Sequence, residues 1–337
     1  MGIELGSSAI KVVELEKTNQ HFQLVTYGIA KHDRAVIESS AQLNKQHRID
    51  SLRRILNEAR VTTHKVVAAL PAINVFHTTI ELPLMPDKDM DSAIHWEVKR
   101  LIPLPVDKMS IDWHIIPTNN QTEKKSMRVI ITAAPKEIIN HYMEIFKQAN
   151  LQLVGLETEI NAMRRSLISE QPGNYLVIDF GATNTNIVIF ADQVPMMVRN
   201  VEIGGETITM NIVNAMQVTT DRAEQFRNSL GIPTKDDAPH PAARAIQFVI
   251  DSMIIKELER FIQTFKNTEH KNIDQVIITG GCAHLKNLPE HLEKILKINV
   301  SIGNPWQKIQ YAQDLEPDLA AIGSEMAVVI GLALKQK

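Results

Sequence analysis

Two short stretches carry the residue types that hold phosphate. Ile3-Glu4-Leu5-Gly6-Ser7-Ser8-Ala9-Ile10-Lys11-Val12-Val13 aligns with Ile178-Asp179-Phe180-Gly181-Ala182-Thr183-Asn184-Thr185-Asn186-Ile187-Val188. Each runs apolar, acidic, apolar, glycine, small, hydroxyl, and then resumes a strand-like pattern. A tight turn between two strands presents backbone N–H groups and hydroxyls as a concave anion site. Glycine lets the backbone approach a phosphate that a side chain would hold off. The acids Glu4 and Asp179, two residues before each glycine, are oxygen ligands for Mg²⁺ or its waters rather than for phosphate. Lys11 reads equally as a charge for the phosphates or as a solvated strand lysine. Either turn alone is an ordinary hairpin, because short glycine patterns are weak signals. Two matching copies, one opening each half of the chain, point to a clamp on a nucleotide. The ligand expected is ATP, held between hairpins that begin at Gly2 and Tyr175.

A third element is Val276-Ile277-Ile278-Thr279-Gly280-Gly281-Cys282-Ala283. A buried strand running through Gly-Gly into a helix places open backbone at a helix N-terminus, which suits a nucleotide. Gly280, Gly281 and Ala283 are therefore candidates, as is Gly205 in Gly204-Gly205-Glu206-Thr207. Glu224 and Arg227, one turn apart, are placed to reach a ribose. Their plainer reading is a surface helical pair, worth about a few tenths of a kcal/mol.

The elements that must position these residues alternate between strand and helix, which indicates an α/β protein. Apolar alternation predicts strands over 3–15 and 22–30, joined by a polar turn at 17–20. A helical spacing follows over 51–60, then a buried strand over 66–70. Residues 87–101 form a helix with Met90, Ile94, Val98 and Leu101 on one stripe, stopped by Pro103. Strands over 111–117 and 127–134, joined by a polar loop, precede a helix over 135–149. Residues 76–150 thus read as an inserted subdomain, and its apolar stripe as that subdomain's core. Beyond it come a strand over 154–159 and a helix from 160. The second half continues with strands over 175–190 and 194–201 and helices over 208–216 and 221–230. A loop over 231–241 leads into a long amphipathic helix over 243–265. A strand over 276–279, a helix over 285–296 and a small-residue helix over 319–334 complete the chain.

The 337 residues exceed one comfortable core and suggest two domains, or two lobes with an insert. Lys plus Arg number 36 against 39 Asp plus Glu, which gives no reason to expect nucleic acid or anionic lipid as the main partner. Aromatics at 5% argue against a base-stacking surface. A lone cysteine, Cys282, excludes an internal disulfide and fits a reducing cytoplasm. It reads as a small residue lining the nucleotide pocket. The 12 histidines show no metal spacing. No signal peptide is evident, and no apolar run reaches the roughly 20 residues of a membrane span, so direct membrane insertion is not expected.

The order of hairpin, insert, connecting strand, second hairpin and Gly-Gly turn resembles the actin-like ATPase superfamily, particularly its FtsA branch. Within that branch the chain resembles the PilM family of type IV pilus assembly proteins. The resemblance rests on Gly2-Ile3-Glu4-Leu5-Gly6-Ser7-Ser8 with Lys11-Val12-Val13-Glu14-Leu15, on Leu82, Pro83, Ala93, Ile94, Glu97, Ile102, Pro103 and Pro105, and on residues 177–184. It implies an actin-like (ribonuclease H-like) two-lobed fold with an inserted FtsA-type subdomain. The first lobe would comprise 1–75 and 151–170, the insert 76–150, and the second lobe 171–337.

By the same resemblance Gly6, Ser7, Ser8 and Lys11 fall on the first phosphate loop. Asp179, Gly181, Ala182, Thr183 and Asn184 fall on the second, and Gly280 and Gly281 on the adenosine loop. Glu157 lies in the connecting strand, where relatives place the residue that orients the attacking water, so Glu157 and Asp179 are the catalytic candidates. Glu4 stands where most relatives have Asp, and one methylene alters metal geometry enough to favour holding ATP over hydrolysing it. The resemblance also implies binding of the cytoplasmic N-terminal tail of PilN and a ring or platform, open to self-association, that joins the inner-membrane PilN/PilO complex. That implies a cytoplasmic scaffold held at the inner membrane by its partner. A small-molecule kinase lacks a convincing acidic base here. An FtsA-like self-anchored filament lacks a basic amphipathic end of sufficient length.

Overall fold

The computed structural model describes residues 1–18, 21–32, 41–102, 105–116, 126–235, 238 and 240–335. The Asn19-Gln20 turn, the Pro103 helix stop, most of the loops after 116 and 235, and the last two residues lie outside these. In chain order the strands are β1 (Gly2–Leu5), β2 (Ala9–Thr18), β3 (His21–Lys31), β4 (Lys65–Leu70), β5 (Phe76–Pro83), β6 (Met109–Ile115) and β7 (Ser126–Pro135). They continue as β8 (Gln152–Thr158), β9 (Asn174–Phe180), β10 (Thr185–Ala191), β11 (Val194–Val201), β12 (Gln275–Thr279), β13 (Val300–Ile302) and β14 (Ile309–Gln310).

Three sheets result, with strand orders β14-β3-β2-β1-β4-β8, β11-β10-β9-β12-β13 and β5-β7-β6. The first two share one plan. In each, an antiparallel meander of three strands (β1-β2-β3, β9-β10-β11) is extended by two parallel strands (β4 and β8, β12 and β13). The repeat read in the sequence is thus a repeat of whole half-folds. Central strands are apolar at successive positions because both faces are covered. In β9, Leu176, Ile178 and Phe180 enter the core of the second lobe, while Val177 faces the layer between the lobes.

That layer holds two crossing helices, Glu159–Leu167 and Ala327–Ala333. Their backbones touch at small residues: a Cβ added to Gly331 would lie 1.9 Å from the carbonyl oxygen of Ala162. Ser166 Oγ donates to the Ala327 carbonyl at 2.7 Å, tying the pair further.

The lobe boundaries differ from the expected ones in two places. Residues assigned to the second lobe return to the first, where β14 pairs with β3 and Val329, Ile330 and Ala333 pack on Val13 and Leu15. The helix Lys136–Gln148, expected in the insert, instead buries Tyr142, Ile145 and Phe146 against Ile3, Ile10 and Leu52 of the first lobe. Its hydrophobic face belongs to the first sheet, so the separate unit is the β5-β7-β6 sheet. That sheet is covered by the helix Asp87–Leu101 through Met90, Ile94 and Val98. The expected helix over 243–265 is one helical path with a widened π-type stretch at Ile250–Ile255. The strand β5 was not expected: Phe76, Ile80 and Leu82 share its buried face, but Thr78 interrupts that alternation at its centre.

Candidate functional site

A cleft of about 1950 Å³ opens between the two main sheets. Gly6, Ser7 and Ser8 line one wall, Gly181, Ala182, Thr183 and Asn184 the other, and Gly280, Gly281 and Cys282 a third side. The two turns are built alike. A Cβ at Gly6 would sit 2.8 Å from the Ala9 carbonyl oxygen, and one at Gly181 would sit 2.7 Å from that of Asn184. Neither distance is tolerable for a real side chain, so both turns require glycine at the same step. The turns face each other closely enough for Thr183 Oγ1 to donate to Ser7 Oγ at 3.3 Å.

Below the turns, each acid has a partner directly across its own hairpin. Glu4 pairs in register with Lys11, and Lys11 Nζ donates to Glu4 Oε1 at 3.0 Å. Asp179 pairs with Asn186, and Asn186 Nδ2 donates to Asp179 Oδ2 at 3.3 Å. Lys11 is thus neither solvated nor free: burial lowers its pKa, but the field and hydrogen bond of Glu4 outweigh this and leave it raised. Glu4 Oε2 is buried with no hydrogen-bond partner. Burial and the charge of Glu4 push the Asp179 carboxyl up to about 6.

The sequence reading overlooked Glu159, the first residue of its helix. Its Oε2 accepts from the Ala72 N–H at 3.0 Å and from Asn186 Nδ2 at 3.1 Å, so one carboxyl joins first-lobe backbone to a second-lobe side chain. Burial, then the charge of Asp179, push it up to about 8. Asn186 is fixed in turn by Asn200 Nδ2, which donates to its Oδ1 at 2.6 Å. The signal for Asn186 was present, since the repeat sets it beneath Lys11.

Glu157 is not brought to the cleft. Side chains alternate along a strand, and Glu157 pairs in register with Ala69, on the face toward the crossing helices. There its carboxylate is ion-paired with Arg165, and with Lys335 at 2.7 Å. The acid facing the cleft is Glu159, two residues on, beyond the end of β8. Ala283 likewise misses the cleft and is fully buried in the second-lobe core.

Gly205 lines the cleft, but its N–H donates to the Gly181 carbonyl at 3.0 Å, and that of Glu206 to Ala182 at 2.8 Å. The start of the helix Gly205–Met216 therefore braces the second turn instead of presenting free donors. Arg227 Nη1 donates to the Gly205 carbonyl at 2.9 Å and to Thr209 Oγ1 at 2.8 Å, at the same end of the cleft as Glu224. Burial pushes the Cys282 thiol up to about 11, so the cysteine is an inert wall. Glu325, unremarked in the sequence, completes the floor beside Gly281. Among the described residues no group of three or more His, Cys, Asp or Glu side chains is placed to hold a metal directly.

Two matching half-folds around one cleft, each contributing a glycine turn with an acid behind it, define a protein of the actin-like class in its FtsA-like branch. The chain belongs to the family described as type IV pilus assembly protein PilM, whose model matches residues 2–337. A solved PilM–PilN type IV pilus biogenesis complex superposes with a TM-score of 0.85 at 26% identity, covering 99% of this chain and 97% of that one. MreB5 of Spiroplasma citri, solved bound to ADP, shares the fold alone, with a TM-score of 0.51 at 12% identity over 99% of this chain and 94% of that one. The cell division protein FtsA of Agrobacterium fabrum is 23% identical over 220 residues, 59% of this chain and 46% of that protein. FtsA of Bacillus subtilis is 18% identical over 356 residues, 90% of this chain and 78% of that protein. The chain thus spans about half the length of the curated relatives it matches first. Among the described residues no helix is long and apolar enough to cross a membrane.

Proposed function

We propose that this chain is an ATP-binding scaffold of the type IV pilus inner-membrane platform, binding the cytoplasmic N-terminal tail of PilN. The observation that carries the nucleotide half is the pair of matched glycine turns facing each other across one cleft. ATP phosphates would lie between Gly6-Ser7-Ser8 and Gly181–Asn184, with the adenosine toward Gly280, Gly281, Glu224 and Arg227. The residues fit a hydrated Mg²⁺. Glu4 offers a buried oxygen without a partner, and Asp179 lines the same cleft within reach of its charge. Bound there, the ion would offset the phosphate charge against these acids.

We further propose binding without efficient turnover, since Lys11 already holds one oxygen of Glu4 and Glu157 faces away from the cleft. The partner half draws on the family and on the superposition with the PilM–PilN complex. It makes the protein peripheral to the inner membrane through PilN/PilO, with ring formation a further property of the assembled platform.

Calorimetry tests both halves. ATP with Mg²⁺ should bind, and a peptide copying the PilN N-terminus should bind with or without it. Heats indistinguishable from dilution for both ligands would end this reading.

A further inference from the structure

We propose that the three-stranded insert is a brace that fixes the angle between the two lobes and gates exchange of the bound ligand. The gating rests on the nucleotide reading; the brace itself does not. By chain connection the insert belongs to the first lobe, leaving it after β4 and returning through the helix Lys136–Gln148 into β8. It touches that lobe laterally, with Lys136 Nζ donating to the Asp107 carbonyl at 2.7 Å, and it also makes lateral contacts with the second lobe. Ile116 and Ile130 lie in the second-lobe core together with Met196 of β11. The outer strand β5 runs beside the outer strand β11, and Thr79 Oγ1 donates to the Met196 carbonyl at 3.4 Å.

The firmest link is charged. Arg128 on β7 reaches Glu269, the last residue of the helix Lys256–Glu269, through two parallel bonds of 2.7 Å. A forked pair of this kind fixes direction as well as distance. The two side chains are only 28% and 16% exposed, so removing one partner strands a charge in a poorly solvated place.

Among the described residues the lobes are also joined by the crossing helices, by the return of the chain from β13 to β14 and by contacts within the cleft itself. Two bodies on such a hinge can open. A further attachment through the insert turns the hinged pair into a closed frame, so the cleft widens only when the insert leaves the second lobe. The same linkage runs the other way: a partner that pulls the insert off β11 would release the ligand, and a bound ligand would hold the insert down.

The test uses the full chain carrying Arg128→Glu, Glu269→Arg, both together, and the milder Arg128→Gln. Hydrogen exchange is followed in 76–83 and 194–201, alongside the dissociation rate of a fluorescent ATP analogue. Each single change should raise exchange in both segments and speed dissociation about tenfold, and the double reversal should restore both. Unchanged exchange in the single variants, or no recovery in the double variant, would overturn the brace. Faster exchange with an unaltered dissociation rate would overturn the gate. If Arg128→Glu does not fold, Arg128→Gln decides by the same two readouts. Absence of analogue binding to the unaltered chain would end the nucleotide reading and the gate with it, leaving the exchange data to decide the brace.

Discussion

Gly280 and Gly281 are adjacent glycines with different reasons for lacking a side chain. Gly280 has φ of +85°, and a Cβ there would lie 2.4 Å from the Phe180 carbonyl oxygen. Gly281 faces open cleft, with only the Glu325 carboxyl near, at 3.9 Å. Gly280→Ala should therefore cost stability, about 1–3 kcal/mol by urea unfolding. Gly281→Leu should leave stability within about 0.5 kcal/mol of the original and fill the space proposed for the nucleotide. Its ATP affinity should fall at least about tenfold, or ~1.4 kcal/mol, and an undiminished affinity in calorimetry would put the adenosine elsewhere.

The buried carboxyls give a pH signature. The ordinary values of Glu159 and Asp179, 4.5 and 3.8, rise in the folded chain to about 8 and about 6. A group raised on folding contributes fully below its unfolded value and loses that contribution as pH climbs through the folded one. The ligand-free protein should thus lose stability as pH rises, from 3.8 to about 6 through Asp179 and from 4.5 to about 8 through Glu159. Glu159→Gln keeps an acceptor for Ala72 and should flatten that slope. A melting-temperature series with the same slope in both proteins would show that Glu159 does not titrate there.

At this scale the hairpin groups were legible, because Glu4, Gly6 and Lys11, and likewise Asp179 and Gly181, are set by local pairing across a turn. Glu157 and Glu159 were not distinguishable. They share strand parity, and only the end of β8 turns the second toward the cleft.

Among the elements, the crossing helices are the tightest joint. Gly331→Ala would force a Cβ against the Ala162 backbone, so the helices must separate. The expected loss is at least about 1–3 kcal/mol, read from the denaturation midpoint; a midpoint unmoved by the change would mean the helices do not meet there. The strands and most helices follow from local periodicity, and the helix Asp87–Leu101 has the bounds expected of it. What periodicity omits is the partner. Nothing within residues 136–148 says that Tyr142 and Phe146 cover β1 and β2 of the first sheet. Nor does the run Ala327–Ala333 announce that it closes a layer between lobes.

For the molecule as a whole, a ligand that binds only the closed cleft adds stability in proportion to its saturation. ATP with Mg²⁺ at 100 times its dissociation constant should add about 2.7 kcal/mol and raise the melting temperature accordingly. A melting temperature indifferent to ATP would be incompatible with a cleft-bound nucleotide. The duplicated plan was legible because both copies of the turn survive in the sequence. The third sheet's attachment was not, since Arg128 and Glu269 lie 141 residues apart.

The return of the chain's last stretch to the first sheet bears on how the protein is made. Val13 and Leu15 leave the ribosome long before their covering residues Val329, Ile330 and Ala333. Pairings so distant along the chain form slowly. Until those residues emerge the first hairpin would have one face bare, an exposure that invites association with other nascent chains. Cotranslational folding should therefore complete the second lobe first, and the first lobe would depend on chaperones until the helix Ala327–Ala333 arrives.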